Sequence, residues 1–406
     1  MYRKLIKNKN LMLYFLGGSI SRLGDIITGM AFLFLSYDLT GSNLQTTGMV
    51  IIETIPYLLF GLIGGVIADW VQKKKLLVLI DLLRAPLVVS IVVLSYLDLL
   101  TYPYLLFVGF MIQFFGCFFN PAHRAVLPLI TSLDERTVAN SVQDTITRGI
   151  TVLSPVVSIF FLKTVGVVQF FTFDACTYIL SAMFLSCLRF QEVDTSEKKG
   201  IKEVFLSIKD FIVWVKGQVP LTQLFLLTFI CVFFSTWSWQ VGLLLRLEET
   251  TEHGKVIYST LEGWFGFVVI VANLMIPWVW KKMTMTTYII GSSVWGIGIL
   301  GVGFAVNLPL FYSAVFIVGL GLPLSGLSRI YLLQRLIPQE KLGRGFSLNA
   351  VMLYLSNTVS LAFFGWLSTF ISIQYIFIGS GLLMLVTSLL FFLVKVSTKS
   401  SGRGAI

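Results

Sequence analysis

Long apolar runs separated by short polar stretches dominate the chain. Each run has about 20 residues, the length that an α-helix needs to cross the hydrocarbon core of a bilayer. Twelve runs can be counted, near residues 10–35, 44–68, 76–97, 102–128, 136–162, 166–188, 219–245, 255–280, 284–306, 309–333, 342–370 and 373–394. The pattern predicts an all-α polytopic membrane protein with twelve transmembrane helices, which we call spans 1 to 12 in chain order.

The longest hydrophilic stretch, residues 191–218, divides the chain almost in half. Within it, apolar residues recur at helical spacing opposite lysines, a pattern typical of an amphipathic helix on a membrane surface. The apolar positions are Val204, Phe205, Ile208, Phe211, Ile212 and Val215, and the lysines are Lys202, Lys209 and Lys216. A loosely structured linker is the alternative. We predict a six-helix bundle at 1–190, a cytoplasmic linker at 191–218 and a second six-helix bundle at 219–406.

A weak internal repeat relates the two halves. A shift of 205 positions places Arg124 on Arg329 and Glu135 on Glu340. Both pairs lie where a duplication of six spans would put them. The repeat therefore predicts two pseudo-symmetric bundles.

Charge is scarce and unevenly distributed. Only 12% of the residues are charged, against roughly 25% in soluble domains. If the N-terminus is cytoplasmic, 22 of the 30 lysines and arginines fall in inside segments and three in outside loops. This asymmetry follows the positive-inside rule and predicts that both termini are cytoplasmic. The net charge of +10 is thus explained by topology, and we predict no nucleic-acid partner.

A short charged segment follows span 2. Gly65 to Lys75 reads GVIADWVQKKK, with Asp69 four residues after the glycine. This spacing resembles the signature between helices 2 and 3 of the major facilitator superfamily, although Trp70 and Gln72 stand where that family usually has arginine and glycine. A basic loop that only sets topology is the alternative. The resemblance extends to the twelve-span topology of the whole chain.

The resemblance implies a conformational latch. The resemblance implies that the loop aspartate holds the N-terminal end of span 11. It also implies that a nearby cation pairs with an acidic residue at the turn between spans 4 and 5. The matching positions are Gly65, Asp69, Lys73 and Lys74, with Asp134 or Glu135 as acidic partners. Such contacts would bias two nearly balanced states.

Spans 2 to 5 also resemble the drug and macrolide efflux branch of the superfamily, notably in FFNPAHRAVLPLI and DERTVANS. The glycine-rich helix 5 motif of that branch is degraded here between Gly149 and Pro155. The resemblance implies a secondary exporter that moves a hydrophobic or amphipathic small molecule by alternating access, as a drug:proton antiporter. A lipid or lysolipid transporter of the same fold is the alternative.

Two carboxylates lie near the middle of their spans. Ionisable side chains cost roughly 2.5 to 3.5 kcal/mol at the bilayer centre, which makes them functional candidates. Asp25 of span 1 and Glu53 of span 2 cannot both stay ionised cheaply in a shared cavity, so at least one could carry a proton. Glu53 is the first candidate and Asp25 the second. A static pair of Asp25 with Arg22 is the alternative.

Four arginines complete the charged set. Arg148, near mid-depth in span 5, could hold a carboxylate or an anionic substrate group, or act as a structural partner. Arg84 and Asp81 lie one turn apart near the predicted cytoplasmic end of span 3, and we interpret them as a pair. Arg124 and Arg329 fall near the inner ends of spans 4 and 10. We predict that Arg84, Arg124 and Arg329 belong to an inner gate.

Aromatic and polar residues in spans 6 to 8 are candidates for the substrate path. Span 7 carries FFSTWSWQ, which includes Trp237 and Gln240. Asp174 and Glu262 lie about 10 Å from the outer face at 1.5 Å of rise per residue. Broad apolar surface with scattered polar groups suits an amphipathic organic molecule better than a sugar. Helix packing is the alternative for each tryptophan.

Enzyme motifs are absent from the sequence. It has two histidines, four cysteines without CxxC spacing, and no HExxH, GxSxG or GxxxxGK[ST]. We therefore predict a secondary transporter and no enzyme, with no cofactor or metal. Its predicted partners are the substrate, protons and membrane lipids, and it is predicted to be a monomer in the cell membrane.

Overall fold

Helices form every regular element in residues 7–41, 43–191, 201–251 and 254–400, the part of the chain that the computed structural model describes. In chain order they are α1 (Lys9–Thr40), α2 (Asn43–Trp70), α3 (Lys73–Tyr96), α4 (Tyr102–Ile130), α5 (Leu133–Thr164), α6 (Gln169–Ser186), α7 (Ile201–Gly217), α8 (Val219–Thr250), α9 (Gly254–Val279), α10 (Met285–Phe304), α11 (Leu308–Leu336), α12 (Leu342–Leu367) and α13 (Ile373–Ser400). A π-helical turn, Ser238–Gly242, interrupts α8. A 3-10 turn, Gln339–Lys341, precedes α12.

Nine of the helices in the described residues are long and apolar enough to cross a membrane, namely α1, α3, α4 and α8 to α13. Polar residues such as Asp134, Arg148 and Asp174 make α5 and α6 less apolar. In α2 the described apolar stretch is the shorter Thr54–Trp70. These twelve helices match the twelve predicted spans, so the prediction of an all-α polytopic membrane protein is confirmed.

Local sequence sets both ends of α1. The Asn8 side chain accepts a hydrogen bond from the Leu11 N–H at 3.1 Å and caps α1. The same helix ends at Gly41, whose φ of 59° lies in the left-handed region and whose N–H donates to the Tyr37 carbonyl at 2.7 Å. Glycine adopts this conformation without steric cost, so the helix stops there.

Contacts divide the chain into two units. Unit 1 comprises Met1–Ala139, Gln143–Val213 and Ile337–Val351. Its apolar core draws mainly on α1, α3, α4 and α6, and includes Ile27, Phe32, Val88, Val108, Ile112, Phe170 and Phe171. A Cβ on Gly64 of α2 would overlap the backbone of Cys117 in α4. Small residues thus let these helices pack at backbone distance.

Unit 2 comprises Asn140–Val142, Trp214–Leu336 and Met352–Ile406. In this unit α10 packs closely on α11, because a Cβ on Gly298 would come 2.6 Å from the backbone nitrogen of Val318. The division between the units falls within α5, α7 and α12. The boundaries predicted near residues 190 and 219 therefore remain predictions.

Candidate functional site

A cluster of ionisable side chains lies inside unit 1, where α1, α3 and α6 meet. Asp25 comes from α1, Asp81 and Arg84 from α3, and Asp174 and Tyr178 from α6. The Tyr178 hydroxyl donates to Asp25 Oδ1 at 2.7 Å. Asp81, Arg84, Asp174 and Tyr178 are buried, whereas Asp25 is half-buried. Asp25 is therefore the one residue of these five whose side chain is partly accessible.

Arg84 provides the positive charge of this cluster. Its Nη2 donates to the Ile112 carbonyl at 3.0 Å. Its guanidinium carbon lies 5.4 Å from the centroid of the Phe119 ring and 5.5 Å from that of Tyr178. These distances are within the range of cation–π attraction. The ring of Tyr178 thus contacts Arg84 while its hydroxyl binds Asp25.

The observed position of Arg84 differs from the sequence-based interpretation. It lies midway along α3 rather than near one end. The carboxylate of Asp81 makes no hydrogen bond to Arg84, although the opposite charges of the two side chains interact. The spacing of one turn places the two side chains near each other, but the guanidinium turns towards α4 and α6.

Three carboxylates share this one guanidinium. Asp174 Oδ1 accepts from the Thr177 hydroxyl at 3.0 Å, whereas its Oδ2 makes no hydrogen bond to a described residue. A buried ionised carboxylate that lacks hydrogen bonds is costly. Full ionisation of Asp25, Asp81 and Asp174 together would therefore destabilise unit 1.

Glycines make room for the polar side chains. A Cβ on Gly24 of α1 would overlap Oδ1 of Asp174 and Oγ1 of Thr177. On α4, a Cβ on Gly116 would lie 3.1 Å from Nη2 of Arg84. The close approach of α1 to α6 thus depends on glycine at position 24.

A second polar contact in unit 1 joins the end of α2 to the beginning of α12. Asp69 Oδ1 accepts from the Gly343 N–H at 2.6 Å. Asp69 Oδ2 accepts from the N–H of Arg344 at 3.1 Å and from its Nε at 2.8 Å. These donors lie in the first turn of a helix, where the dipole favours a negative charge. The carboxylate of Asp69 is buried, so the bonds form away from water.

Gly65 lets α2 and α12 approach at this contact. A Cβ there would come 2.5 Å from Oγ of Ser347 and 2.8 Å from the Gly343 carbonyl. Gly343 is equally confined, because its Cβ would lie 2.6 Å from Asp69 Oδ1. The latch role that the resemblance implies for this segment remains a prediction.

The remaining latch candidates lie in α3 and at the beginning of α5. Lys74 Nζ donates to the Leu188 carbonyl at 2.9 Å. Glu135 Oε2 accepts from the Ser132 N–H at 3.1 Å and helps to begin α5. Lys73 is half-buried and Asp134 is exposed.

A carboxylate lies among aromatic rings in unit 2. The Trp239 ring, on the π turn of α8, has its centroid 4.3 Å from that of Phe265. The Glu262 side chain lies close to Trp239 and Tyr258, and its Oε1 makes no hydrogen bond to a described residue. Gln240, the next residue of the turn, is exposed. π turns are frequent at functional sites, and this one combines an acceptor with aromatic surface.

Trp237 has a different environment. It is buried, and its ring stacks on that of Phe364 at a centroid distance of 6.0 Å. Its backbone N–H donates to the Ser360 hydroxyl at 3.2 Å. These contacts pack α8 against α12 within unit 2.

The predicted arginines outside the Asp25 cluster differ in their environments. Arg148 Nε pairs with Asp144 Oδ2 at 2.7 Å on the same helix. Arg22 and Arg124 are exposed, and Arg329 is half-buried. The guanidinium of Arg124 lies 5.9 Å from the centroid of the Phe346 ring. The side chain of Glu53 is outside the described residues.

Sequence reasoning did not include Tyr178 in the site and gave Asp174 only as one of two candidates near the outer face, the other being Glu262. A signal existed, because Tyr178 follows Asp174 by four residues and therefore shares its helix face. The contribution of α3 could not be recognised, since it requires knowing that α3 and α6 pack together.

Comparisons with known proteins place this geometry in a family. The family described as "Transmembrane secretion effector" matches residues 6–403. The chain belongs to this transporter family. It is a member of the major facilitator superfamily and a secondary transporter rather than an enzyme.

Relatives of this transporter are distant but match it over nearly the whole length. The "Uncharacterized MFS-type transporter YfiS" of Bacillus subtilis is 25% identical over 98% of this chain and 97% of its own. "Macrolide efflux protein A" of Streptococcus pyogenes is 22% identical over 91% of this chain and 92% of its own. The resemblance to the drug efflux branch is confirmed by these relatives.

Solved structures share the fold of this transporter. A bacterial homologue of the iron transporter ferroportin, crystallised in an outward-facing state, matches with a TM-score of 0.74 at 15% identity. The match covers 95% of this chain and 98% of the other. At that identity the likeness shows the fold alone.

Proposed function

We propose that the protein exports a hydrophobic or amphipathic small molecule from the cell by alternating access, in exchange for protons. The observation that carries the proposal is the excess of carboxylates over cations in the cluster of Asp25, Asp81, Arg84 and Asp174. A buried group with more acids than bases binds and releases a proton when its access changes. The macrolide efflux relative supports export of a small organic molecule.

Each member of the cluster has a distinct role in this proposal. Asp25 exchanges protons with the transport path, because it alone has an accessible edge. Asp174 Oδ2 and the carboxylate of Asp81 hold the proton away from water. Tyr178 links the two environments, since its hydroxyl binds Asp25 and its ring contacts Arg84. Glu53 remains a further candidate for the proton site.

Substrate is bound in part by unit 2. The rings of Trp239 and Phe265 offer apolar surface, and Glu262 and Gln240 add polar groups to it. Ligand sites commonly combine broad apolar walls with a few directed polar groups. Both termini are cytoplasmic in this proposal, and the transporter resides in the cell membrane.

Proteoliposomes with an imposed pH gradient test this function. Uptake of a fluorescent macrolide-like amphiphile should require the gradient in the unmodified protein. Asp25→Asn should reduce gradient-driven uptake at least tenfold, whereas ligand binding, measured by fluorescence quenching, should persist. Asp38→Asn is the matched control, because Asp38 is an exposed aspartate on the same helix.

Two results would contradict the proposal. Gradient-driven uptake that persists in both Asp25→Asn and Asp174→Asn would remove the cluster as the proton carrier. Movement of a fluorescent lysolipid between leaflets without transport of the soluble amphiphile would favour the alternative lipid transporter.

A further inference from the structure

The lysines of α7 form one stripe. Lys202, Lys209 and Lys216 are seven residues apart. Seven residues turn around the helix axis by about 20° less than two full turns, so the three side chains point in nearly the same direction. All three are exposed. Glu203 and Asp210 repeat with the same spacing but lie about 100° further around the helix. The stripe is therefore purely basic.

Exposed apolar side chains flank the stripe on both sides. Phe205, which the sequence pattern placed opposite the lysines, is 60% exposed on one side of the stripe. Leu206 and Val213 are 46% and 60% exposed on the other side. A basic stripe bordered by apolar residues suits a bilayer interface, where lysine heads reach lipid headgroups and apolar side chains enter the acyl boundary. Nucleic acid or an acidic protein would complement the lysines but leave the apolar borders in water.

The opposite face of α7 contacts the Asp69 site. Phe211 is buried, and the guanidinium carbon of Arg344 lies 5.8 Å from the centroid of its ring. The same guanidinium donates through Nε to Asp69 and through Nη2 to the Glu340 carbonyl at 2.8 Å. Phe211 therefore covers the ion pair that joins α2 to α12.

We propose that the lysine stripe of α7 binds anionic phospholipid headgroups, and that this binding strengthens the Asp69–Arg344 contact through Phe211. Bound lipid holds α7 against the membrane surface, which keeps the Phe211 ring over Arg344. The ring excludes water from the ion pair, and such pairs are weak when they are exposed. This site acts on the conformational balance and is separate from the transported substrate.

The binding step can be measured in nanodiscs of phosphatidylcholine alone or mixed with phosphatidylglycerol. Cys176 and Cys187, the exposed cysteines of the described chain, are first replaced by serine. A bimane dye attached to Val213→Cys then reports insertion of this face of α7 into the bilayer. Phosphatidylglycerol should shift the emission to the blue. Lys202→Gln, Lys209→Gln and Lys216→Gln combined should weaken the response at least tenfold, since each lysine contributes about fivefold near an anionic surface.

A charge-matched control lies on the same helix. Glu203→Gln with Asp210→Asn removes the acidic groups and should leave the blue shift in place. A shift that survives in the lysine triple variant, or that is equal in both lipid compositions, would overturn the lipid site. Size-exclusion profiles and Tm values near those of the unmodified protein establish that the variants are folded.

The coupling step needs a separate readout. Amide hydrogen exchange of peptides spanning 340–348 reports the Gly343 and Arg344 N–H groups that donate to Asp69. Phosphatidylglycerol should slow this exchange severalfold in the unmodified protein. Phe211→Ala should abolish that difference while the bimane shift persists. Equal slowing in Phe211→Ala would overturn the proposed coupling, and neither measurement depends on transport.

Discussion

At the residue scale, the two polar sites in unit 1 depend on small residues beside charged ones. Gly24 makes room for Asp174, and Gly65 and Gly343 make room for Asp69. A carboxylate acts more strongly on its neighbours where close packing excludes water, because the effective dielectric constant is lower there. The glycines are therefore as necessary to these two sites as the charged residues.

Gly24→Ala tests this dependence. The added Cβ would overlap Asp174 and Thr177, so α1 must move away from α6. We expect a loss of about 1–3 kcal/mol, typical of overpacking, which a lower Tm would show, together with loss of proton-coupled uptake. Gly149→Ala is the control, because nothing lies within 4 Å of a Cβ there. Equal Tm values for the two variants would contradict the steric argument.

Asp69→Asn tests the contact with α12. The amide has one acceptor oxygen and no charge, so it cannot accept from the Gly343 N–H and from Arg344 on two separate oxygens as the carboxylate does. Removing one partner of a buried ion pair costs about 3–5 kcal/mol, and we expect slower turnover and a shift toward the inward-open state. Asn349, a buried residue of α12, offers the readout: Asn349→Cys should react with a polar maleimide at least tenfold faster.

The control for this experiment is Asp38→Asn, which removes an exposed carboxylate. Unchanged labelling in Asp69→Asn would show that the contact does not restrain α12.

At the scale of helices, the sequence predicted the positions of the spans better than it predicted which helices pack together. Runs of about 20 apolar residues located each long helix, since a span must satisfy its backbone internally. Asp25 and Glu262 were recognisable because charge in an apolar run is costly. The link from Arg84 to Tyr178 was not, because it depends on which helices pack together. The π turn of α8 also has no signature in the hydrophobic pattern.

That π turn gives a prediction for α8. A π turn holds one residue more than an α-helical turn, so deleting Val241 should restore regular helix and displace the Trp239 side chain from its place beside Phe265. We expect substrate affinity to fall at least tenfold while circular dichroism stays helical. Trp239→Phe keeps an aromatic ring in the intact turn and should bind more tightly than the deletion variant. The reverse order would argue against a role for the turn.

At the scale of the whole molecule, polar side chains make some spans less apolar than others. Asp134 and Arg148 belong to α5, and Asp174 belongs to α6. We expect flanking lysines and arginines to help fix the topology of such spans, because hydropathy alone is weaker there.

The positive-inside distribution can be tested by moving charge across the membrane. Asp38→Lys with Thr40→Lys adds two cations to the loop predicted to lie outside, whereas Val71→Lys with Gln72→Lys adds two to a loop predicted to lie inside. Because lysines near short loops resist translocation, the first pair should lower the amount of folded protein in the membrane severalfold and the second should not. Alkaline phosphatase fused after Gly41 should be active, and the same fusion after Gln72 inactive. Equal tolerance of both lysine pairs would contradict the positive-inside argument. The opposite fusion pattern would show that the termini face the other side and would reverse the direction of transport proposed here.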